Sequence, residues 1–426
     1  MNYIEIKPKN NTLIKEFFKS NDLFTSFNAP VNIIFIDNFM HNINLFKDIF
    51  STLGMTDNIF FSCKANKSYA FLKTAAECNC GIEVSSYYEL KDALKYTNKI
   101  IASGPAKSNE YISLAIKNEC VISVDDIEEL KNIVKVKEKK KVKVLLRISN
   151  LVNTVSRFGI NISSIQECVE YLKKNDIELL GFSFHINNYK LDDRVKAVEE
   201  LLNIVNKYNL NIKYIDIGGG LPVNYCDKEQ FNEFKVKNNK EMYFRNKDIM
   251  DFYPYYNEMA SGKALEYILK SIKNKLGKIE IIIEPGRSLL DDCGISIYKV
   301  EYTKHLENGD YIIVTNGNIN CLSEQWFNTD YLIEPEIYYK GERKKETIFA
   351  SVAGNLCLEQ DMITWRKLKF EKIPKNGDYL IYFNTAGYQM DSNESEFHKI
   401  PIVEKYVIKK EESKFIIKED KEYGSK

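Results

Sequence analysis

Residues 179–186 read LLGFSFHI, residues 214–219 read YIDIGG and residues 278–286 read KIEIIIEPG. Each is a short apolar run that ends on glycine, proline, a histidine or a charge, the pattern of a strand buried on both faces. VNIIFID (31–37), IFFSCK (59–64) and KVLLRIS (143–149) repeat it, and longer helical stretches lie between them. The alternation predicts repeated βα units around a parallel sheet. With the weaker runs GIEV (81–84), KIIAS (99–103) and CVISV (120–124), the set suits an eight-stranded, TIM-like βα barrel, with an open doubly wound sheet as the alternative.

Beyond Arg287 the character changes. YIIVTNG (311–317), EIYYKGE (336–342), ETIFASVAG (346–354), DYLIYFNTAG (378–387) and KYVIKK (405–410) are strands joined by short turns, which predicts a mostly antiparallel β domain. YIEIK (3–7) is expected to join it as a strand, since chain ends often meet in space. The expected division is a barrel over 31–286, interrupted by an insertion at about 225–262, and a β domain from 1–30 and 287–426. The insertion is followed by a barrel helix, SGKALEYILKSIKNKLG, and the charged end KKEESKFIIKEDKEYGSK is expected to fray.

A chain of 426 residues is too long for one small domain, and 44% hydrophobic residues are enough to bury a large core. Sixty Lys and Arg balance sixty Asp and Glu, so no net field favours nucleic acid or an anionic membrane, and small molecules are the expected partners. The start, MNYIEIKPKNN, lacks an apolar core behind a basic flank, and no apolar run is long enough to span a bilayer; the expectation is a cytoplasmic protein. Nine cysteines scattered through such a chain read as buried, reduced thiols; Cys78-x-Cys80 has no matching second pair for a metal.

Several strand ends carry chemistry. Lys64 follows IFFSC, where a partly desolvated amine among other cations becomes a nucleophile, although a lone lysine there is ordinarily a solvated loop residue, and Lys67 competes with it. Gly218-Gly219-Gly220 follows YIDI, and such a run either lets backbone amides approach a phosphate or makes a tight turn. Glu284-Pro285-Gly286-Arg287 sets a carboxylate and a guanidinium three positions apart, able to serve a pyridine nitrogen and a phosphate, or to form a surface ion pair. Arg147 and His185, each unremarkable singly, add polar groups to the same rim.

In order and spacing these motifs resemble the fold-type III pyridoxal-phosphate decarboxylases, a family that includes the ornithine, arginine and diaminopimelate decarboxylases and shares its barrel plan with alanine racemases. The matching stretches are SCKAN (Lys64), IEVSSYYEL (Glu83), LRIS and SRFGI (Arg147, Arg157), FSFHI (His185), DIGGGLP, EPGR, GNLCLEQD (Cys357) and TAGYQM (Tyr388). The resemblance implies that Lys64 forms the internal aldimine with pyridoxal 5'-phosphate, that His185 stacks on the ring, and that Glu284 pairs with the pyridinium nitrogen. It puts the phosphate on Gly218, Gly219, Gly220, Arg287 and Tyr388, with Glu83, Arg147 and Gly286 in the same cofactor-binding set. It makes Cys357 the proton donor that a neighbouring protomer contributes, hence a homodimer with shared sites.

Two departures stand out. Asn187 and Asn188 occupy the positions after the stacking histidine where relatives have Gly and Ser, and the Ser usually touches the phosphate. Leu358 replaces the acid that follows the donor cysteine and reads the substrate, with Glu359 and Asp361 nearby as possible substitutes. The expected substrate is therefore a diamino acid or an amino-acid conjugate with an altered distal group. A racemase on the same plan and a catalytically silent regulatory relative are the competing readings.

Overall fold

The structure, a computed structural model, describes residues 3–9, 11–20, 27–153, 155–249, 252–322, 330–412 and 414–425. It divides into two compact units, one of Met40–Pro222, Ser261–Leu289 and Tyr423–Lys426, the other of Met1–Phe39, Val223–Ala260 and Leu290–Glu422.

Strand β1 (Val31–Phe35) belongs to the second unit. The first unit is a closed parallel barrel of β2 (Asn58–Ser62), β3 (Gly81–Val84), β4 (Ile100–Ala102), β5 (Val121–Val124), β6 (Lys143–Arg147), β7 (Glu178–Ser183), β8 (Tyr214–Asp216) and β9 (Glu280–Ile283). It closes where Asn58 of β2 lies opposite Ile282 of β9. Phe60, Ile101, Leu145 and Ile282, from four strands, pack together, and each contributes about 1.5–3 kcal/mol by leaving water. Helices connect the strands, and three of them start where a polar side chain takes up an otherwise orphaned amide: Ser86 accepts from Glu89, Ser108 from Tyr111 and Asp126 from Glu128. The helix expected after the insertion is present as Ser261–Ile272.

The second unit is a mixed, mostly antiparallel sheet that joins β1 to β10 (Gly294–His305), β11 (Tyr311–Thr315), β12 (Glu336–Tyr338), β13 (Ile348–Ala353), β14 (Met362–Phe370), β15 (Tyr379–Phe383), β16 (Glu404–Glu411) and β17 (Lys414–Glu419). Among this sheet's described strands only β1 with β16 and β11 with β13 pair in parallel. Among the described residues, no helix is long and apolar enough to cross a membrane.

Three expectations need correction. VNIIF, expected in the barrel, pairs antiparallel with β10 (Ile33 opposite Ile295) and parallel with β16 (Ile33 opposite Tyr406); a run buried on both faces reads alike in either sheet. YIEIK forms no ladder: Ile4 and Ile6 are buried, but the segment is held by Glu334, whose amide donates to Ile6 O and whose carboxylate accepts from Ile6 N. The charged end does not fray, because Lys414–Glu419 pairs with β16 and a helix, Asp420–Gly424, follows.

Candidate active site

Parallel strands of a closed barrel all end on one rim, and the residues singled out in the barrel unit lie at or just past those ends. Lys64 sits in the single turn Cys63–Ala65 after β2, Glu83 within β3, and Arg147 at the last position of β6. His185 follows β7, the glycine run follows β8, and Glu284, Gly286 and Arg287 follow β9. Hydrogen bonds lock these ends together. Ser62 Oγ donates to Glu83, whose other oxygen accepts from Ser85 Oγ at 3.1 Å; Ser62 N donates to Pro285 O, and Glu284 N to Gly218 O at 2.9 Å. A Cβ on Gly218 would stand 2.8 Å from His185 Nδ1, so the imidazole lies against the glycine run.

The charges are arranged in two groups. Burial pushes the His185 imidazole down to about 3, and Lys64, Arg147 and Arg194 push in the same direction, although the ring keeps an open face at the rim. At neutral pH it is uncharged. Lys64, and not Lys67, is the SCKANK lysine acting on it. Arg147 is itself steadied by Asp125 at 3.4 Å and by the Phe158 ring, 4.5 Å from its guanidinium.

At the ends of β8 and β9, the strands between those that carry His185 and Lys64, lies a carboxyl pair. Burial raises Asp216 to about 7, against the Gly218 amide that donates to its Oδ1. Burial also raises Glu284 well above the usual carboxyl range, reinforced by Asp216 and Glu83 and opposed by Lys64. Asp216 Oδ2 meets no donor among the described residues, while the Glu284 carboxyl lies within hydrogen-bond reach of Asp216. Two buried carboxyls in contact share one proton rather than both ionise.

The glycine run is tightly enclosed. Gly218 (φ +67°) and Gly220 (φ +76°) adopt backbone conformations that favour glycine, and a Cβ on Gly219 would come within 2.5 Å of Glu284 O. Behind the run lies Arg194, which the sequence reading missed. Its Nη2 donates to Ile186 O at 3.1 Å, Gly220 O at 3.1 Å and Gly219 O at 3.4 Å. A signal was available: in the helix Leu191–Lys207 this arginine shares the buried stripe with Ala197, Val198, Leu201 and Val205. Asp216, inside the quoted run YIDI, was missed for a similar reason.

Asn188 is occupied by its own loop, donating to Asp193 Oδ2 at 2.9 Å and accepting from Lys190 N at 3.0 Å; Asn187 is exposed.

In the other unit, Cys357 and Leu358 stand exposed between β13 and β14, and Cys357 is the one exposed thiol of nine. Asp361, considered as a substrate ligand, is 3% exposed and spends both oxygens on backbone amides, accepting from Ile319 N, after β11, at 2.8 Å and from Leu356 N of its own loop at 2.6 Å. Glu359 pairs with Arg245 at 2.5 Å on the surface of this unit. Tyr388 has φ +77°, a strained value for a residue with a side chain, and strain of this kind concentrates at functional sites. In the insertion, Tyr243, Phe244, Tyr253 and Tyr255 are buried, and Tyr225 packs edge to face on Tyr253, Tyr255 and Tyr331, so these rings are spent on the core of their own unit.

The pyridoxal binding domain of the pyridoxal-dependent decarboxylases matches residues 37–291. An uncharacterized protein of Sinorhizobium fredii is 29% identical over 400 residues, covering 89% of this chain and 88% of its own. The diaminopimelate decarboxylase of Buchnera aphidicola is 27% identical over 96% of this chain and 95% of its own. The crystal structure of diaminopimelate decarboxylase from Helicobacter pylori, complexed with L-lysine, superposes with a TM-score of 0.73 at 20% identity, over 93% of this chain and 95% of that one, a likeness of fold.

Proposed function

This chain belongs to the pyridoxal-dependent decarboxylase family, and we propose that it removes the α-carboxylate of an amino acid whose distal end is not a free ammonium or a second amino-acid head group. The observation that carries the reading is the convergence, on one barrel rim, of Lys64, neutral His185, a carboxyl pair sharing one proton, and a glycine run packed too closely for any side chain.

The cofactor of the family is pyridoxal 5'-phosphate, and the residues fit it. The amides of Gly219, Gly220 and Leu221 have no acceptor among the described residues, and successive free amides form a concavity for an anion. Together with Arg287 they suit the phosphate. When bound, the cofactor supplies an electron sink for the pair left behind by departing CO₂.

The chain's own side chains do the rest. Lys64 holds the aldehyde end with its amine. Glu284 keeps a proton at the ring nitrogen, and Asp216 helps hold that proton in place. His185 would cover the ring without adding charge, because burial and the neighbouring cations keep it neutral. Arg147 holds the cationic side of the site, and Glu83, fixed by Ser62 and Ser85, faces it across the rim. Cys357 returns a proton to the α-carbon, contributed together with Tyr388 by the partner in a homodimer.

Substrate choice follows from the loop after Cys357. A buried ammonium without a carboxylate costs several kcal/mol. Leu358 offers none, and freeing Asp361 to substitute would break two hydrogen bonds to a charged group, each worth about 1.5–3 kcal/mol. Glu359 is engaged by Arg245.

The test is CO₂ release from D- and L-amino acids, diamino acids and their conjugates by the yellow holoenzyme. Racemisation without CO₂ would point to a racemase, and a protein that stays colourless with added cofactor would point to a silent relative. Efficient turnover of free L-ornithine or meso-diaminopimelate would overturn the substrate reading.

A further inference from the structure

Arg194 is 1% exposed, and no carboxylate lies within ion-pair distance of it among the described residues. Its guanidinium meets only carbonyl oxygens, those of Ile186, Lys190, Gly219 and Gly220, and its Nε meets no acceptor. Burial lowers its pKa to about 10, which leaves it charged at neutral pH. An unpaired buried cation is costly to a folded chain unless something compensates it.

The geometry supplies the compensation. A trans peptide unit points its N–H opposite its C=O. With Gly219 O and Gly220 O drawn back onto Arg194, the amides of Gly220 and Leu221 are turned the other way. Gly218 O is likewise drawn onto Glu284 N, which turns the Gly219 amide away from that contact. Three successive donors are thus left without protein acceptors, and a positive charge lies directly behind them.

We propose that Arg194 is a positioning residue that builds the anion cradle from behind, fixing the glycine-run carbonyls so that their amides are presented to a phosphate, and that the bound phosphate dianion is the counter-charge its burial requires. The inference rests on reading this rim as a pyridoxal-phosphate site. It also accounts for the missing serine contact: Asn188 is tied to Asp193 and Lys190, so the anion is held instead by amides and by the charge behind them. Gly220 is required on the same grounds, because a Cβ there would stand 2.3 Å from Arg194 Nη2.

The experiment compares wild type, Arg194→Met and Arg194→Lys in the full-length apoprotein, titrated with pyridoxal 5'-phosphate, with pyridoxal and with inorganic phosphate. Binding is read by absorbance for the first two and by thermal shift for phosphate. Loss of a charge-assisted contact set predicts that Arg194→Met weakens pyridoxal 5'-phosphate and phosphate by roughly 10- to 100-fold while pyridoxal binding stays within about 3-fold. Arg194→Lys, which keeps the charge but loses the planar fork, should fall between the two. Equal weakening for pyridoxal and its phosphate would show a general packing role and overturn the proposal, as would wild-type phosphate affinity in either variant. If Arg194→Met does not fold, Arg194→Lys decides by the same comparison. A wild-type protein that binds none of the three would instead sink the underlying reading of the site.

Discussion

Gly219→Ala tests whether close approach at the rim, rather than chain flexibility, is what the glycine run provides. A Cβ at Gly219 would stand 2.5 Å from Glu284 O, and contacts under 3.0 Å essentially do not occur. Reaching 3.0–3.4 Å means moving the end of β9 away by roughly 0.5–0.9 Å, and the obstacle is backbone, which has no rotamer to change. Such overpacking costs about 1–3 kcal/mol. The Glu284 N to Gly218 O bond, now 2.9 Å, stretches with it, and its loss adds about 0.5–1.5 kcal/mol. The displaced residue carries the carboxyl assigned to the ring nitrogen, and misplacement on the order of 1 Å costs about 100-fold in rate. Gly277→Ala is the control: φ is +58° and nothing lies within 4 Å, so it carries only a backbone penalty of about 1–2 kcal/mol. Cofactor titration, steady-state rate and thermal melts should show Gly219→Ala folded but at least ~10-fold weaker for cofactor and ~10- to 100-fold slower, with Gly277→Ala at wild-type values in both. Wild-type loading and turnover in Gly219→Ala, or equal losses in Gly277→Ala, would refute the reasoning.

Lys64→Ala should lose the borohydride-trappable cofactor adduct and all turnover while Lys67→Ala keeps both; mass spectrometry of the reduced protein decides between them. Mixing inactive Lys64→Ala with inactive Cys357→Ala should restore activity through hybrid dimers, and no recovery under proven subunit exchange counts against shared sites. Leu358→Asp should raise kcat/KM for a diamino acid relative to the native substrate, and an unchanged ratio removes this residue from substrate choice. The fourth expectation concerns pH. His185 is held near 3 in the folded chain against an ordinary value of about 6.5, so below that pH the unfolded chain binds the proton and the folded one does not. Its contribution is therefore complete above about pH 6.5 and is lost as pH falls toward 3, whereas the raised Asp216 acts in the opposite sense. In melts of the apoprotein, the difference between wild type and His185→Gln should change steadily from pH 7 to pH 5 to the disadvantage of wild type, and a constant difference would contradict the assignment.

The barrel was legible because parallel strands buried on both faces are continuous apolar runs, and this chain writes them plainly, from IFFS to EIII. The same property misled at VNIIF, since burial on two faces does not say which sheet buries it. β14, MITWRKLKF, went unread because its charges break the apolar pattern, yet Arg366 is buried there, donating to Ile4 O and Leu332 O and pairing with Glu334. The proposed site residues that end strands are legible from position and order. Arg194 and Asp216 are not, because what sets them apart is what they touch: four carbonyls in one case, a second carboxyl in the other. A charged residue on the buried stripe of an amphipathic helix is the trace such partners leave in a sequence.

The proposed function keeps the family's chemistry while altering the substrate, and the fold is compatible with both. The barrel groups assigned to the cofactor stand at or just past strand ends, and hydrogen bonds tie Glu83, Glu284 and the glycine run to their neighbours, so substitution there disturbs several at once. Cys357 and Leu358 stand on a connection between β13 and β14, and loops tolerate change because few contacts depend on them. What fixes that connection is Asp361, whose two oxygens hold Ile319 and Leu356 and whose backbone oxygen accepts from Gly354 N. A Cβ on Gly354 would stand 2.4 Å from Asp361 Oδ2, so the loop closes around this carboxylate. Of the two acids that follow Cys357, Glu359 pairs with Arg245 and Asp361 is already committed to shaping the loop. Leu358 is one of the exposed positions of this loop, where substitution costs the fold little, and the resemblance makes it the position that would set the proposed substrate choice.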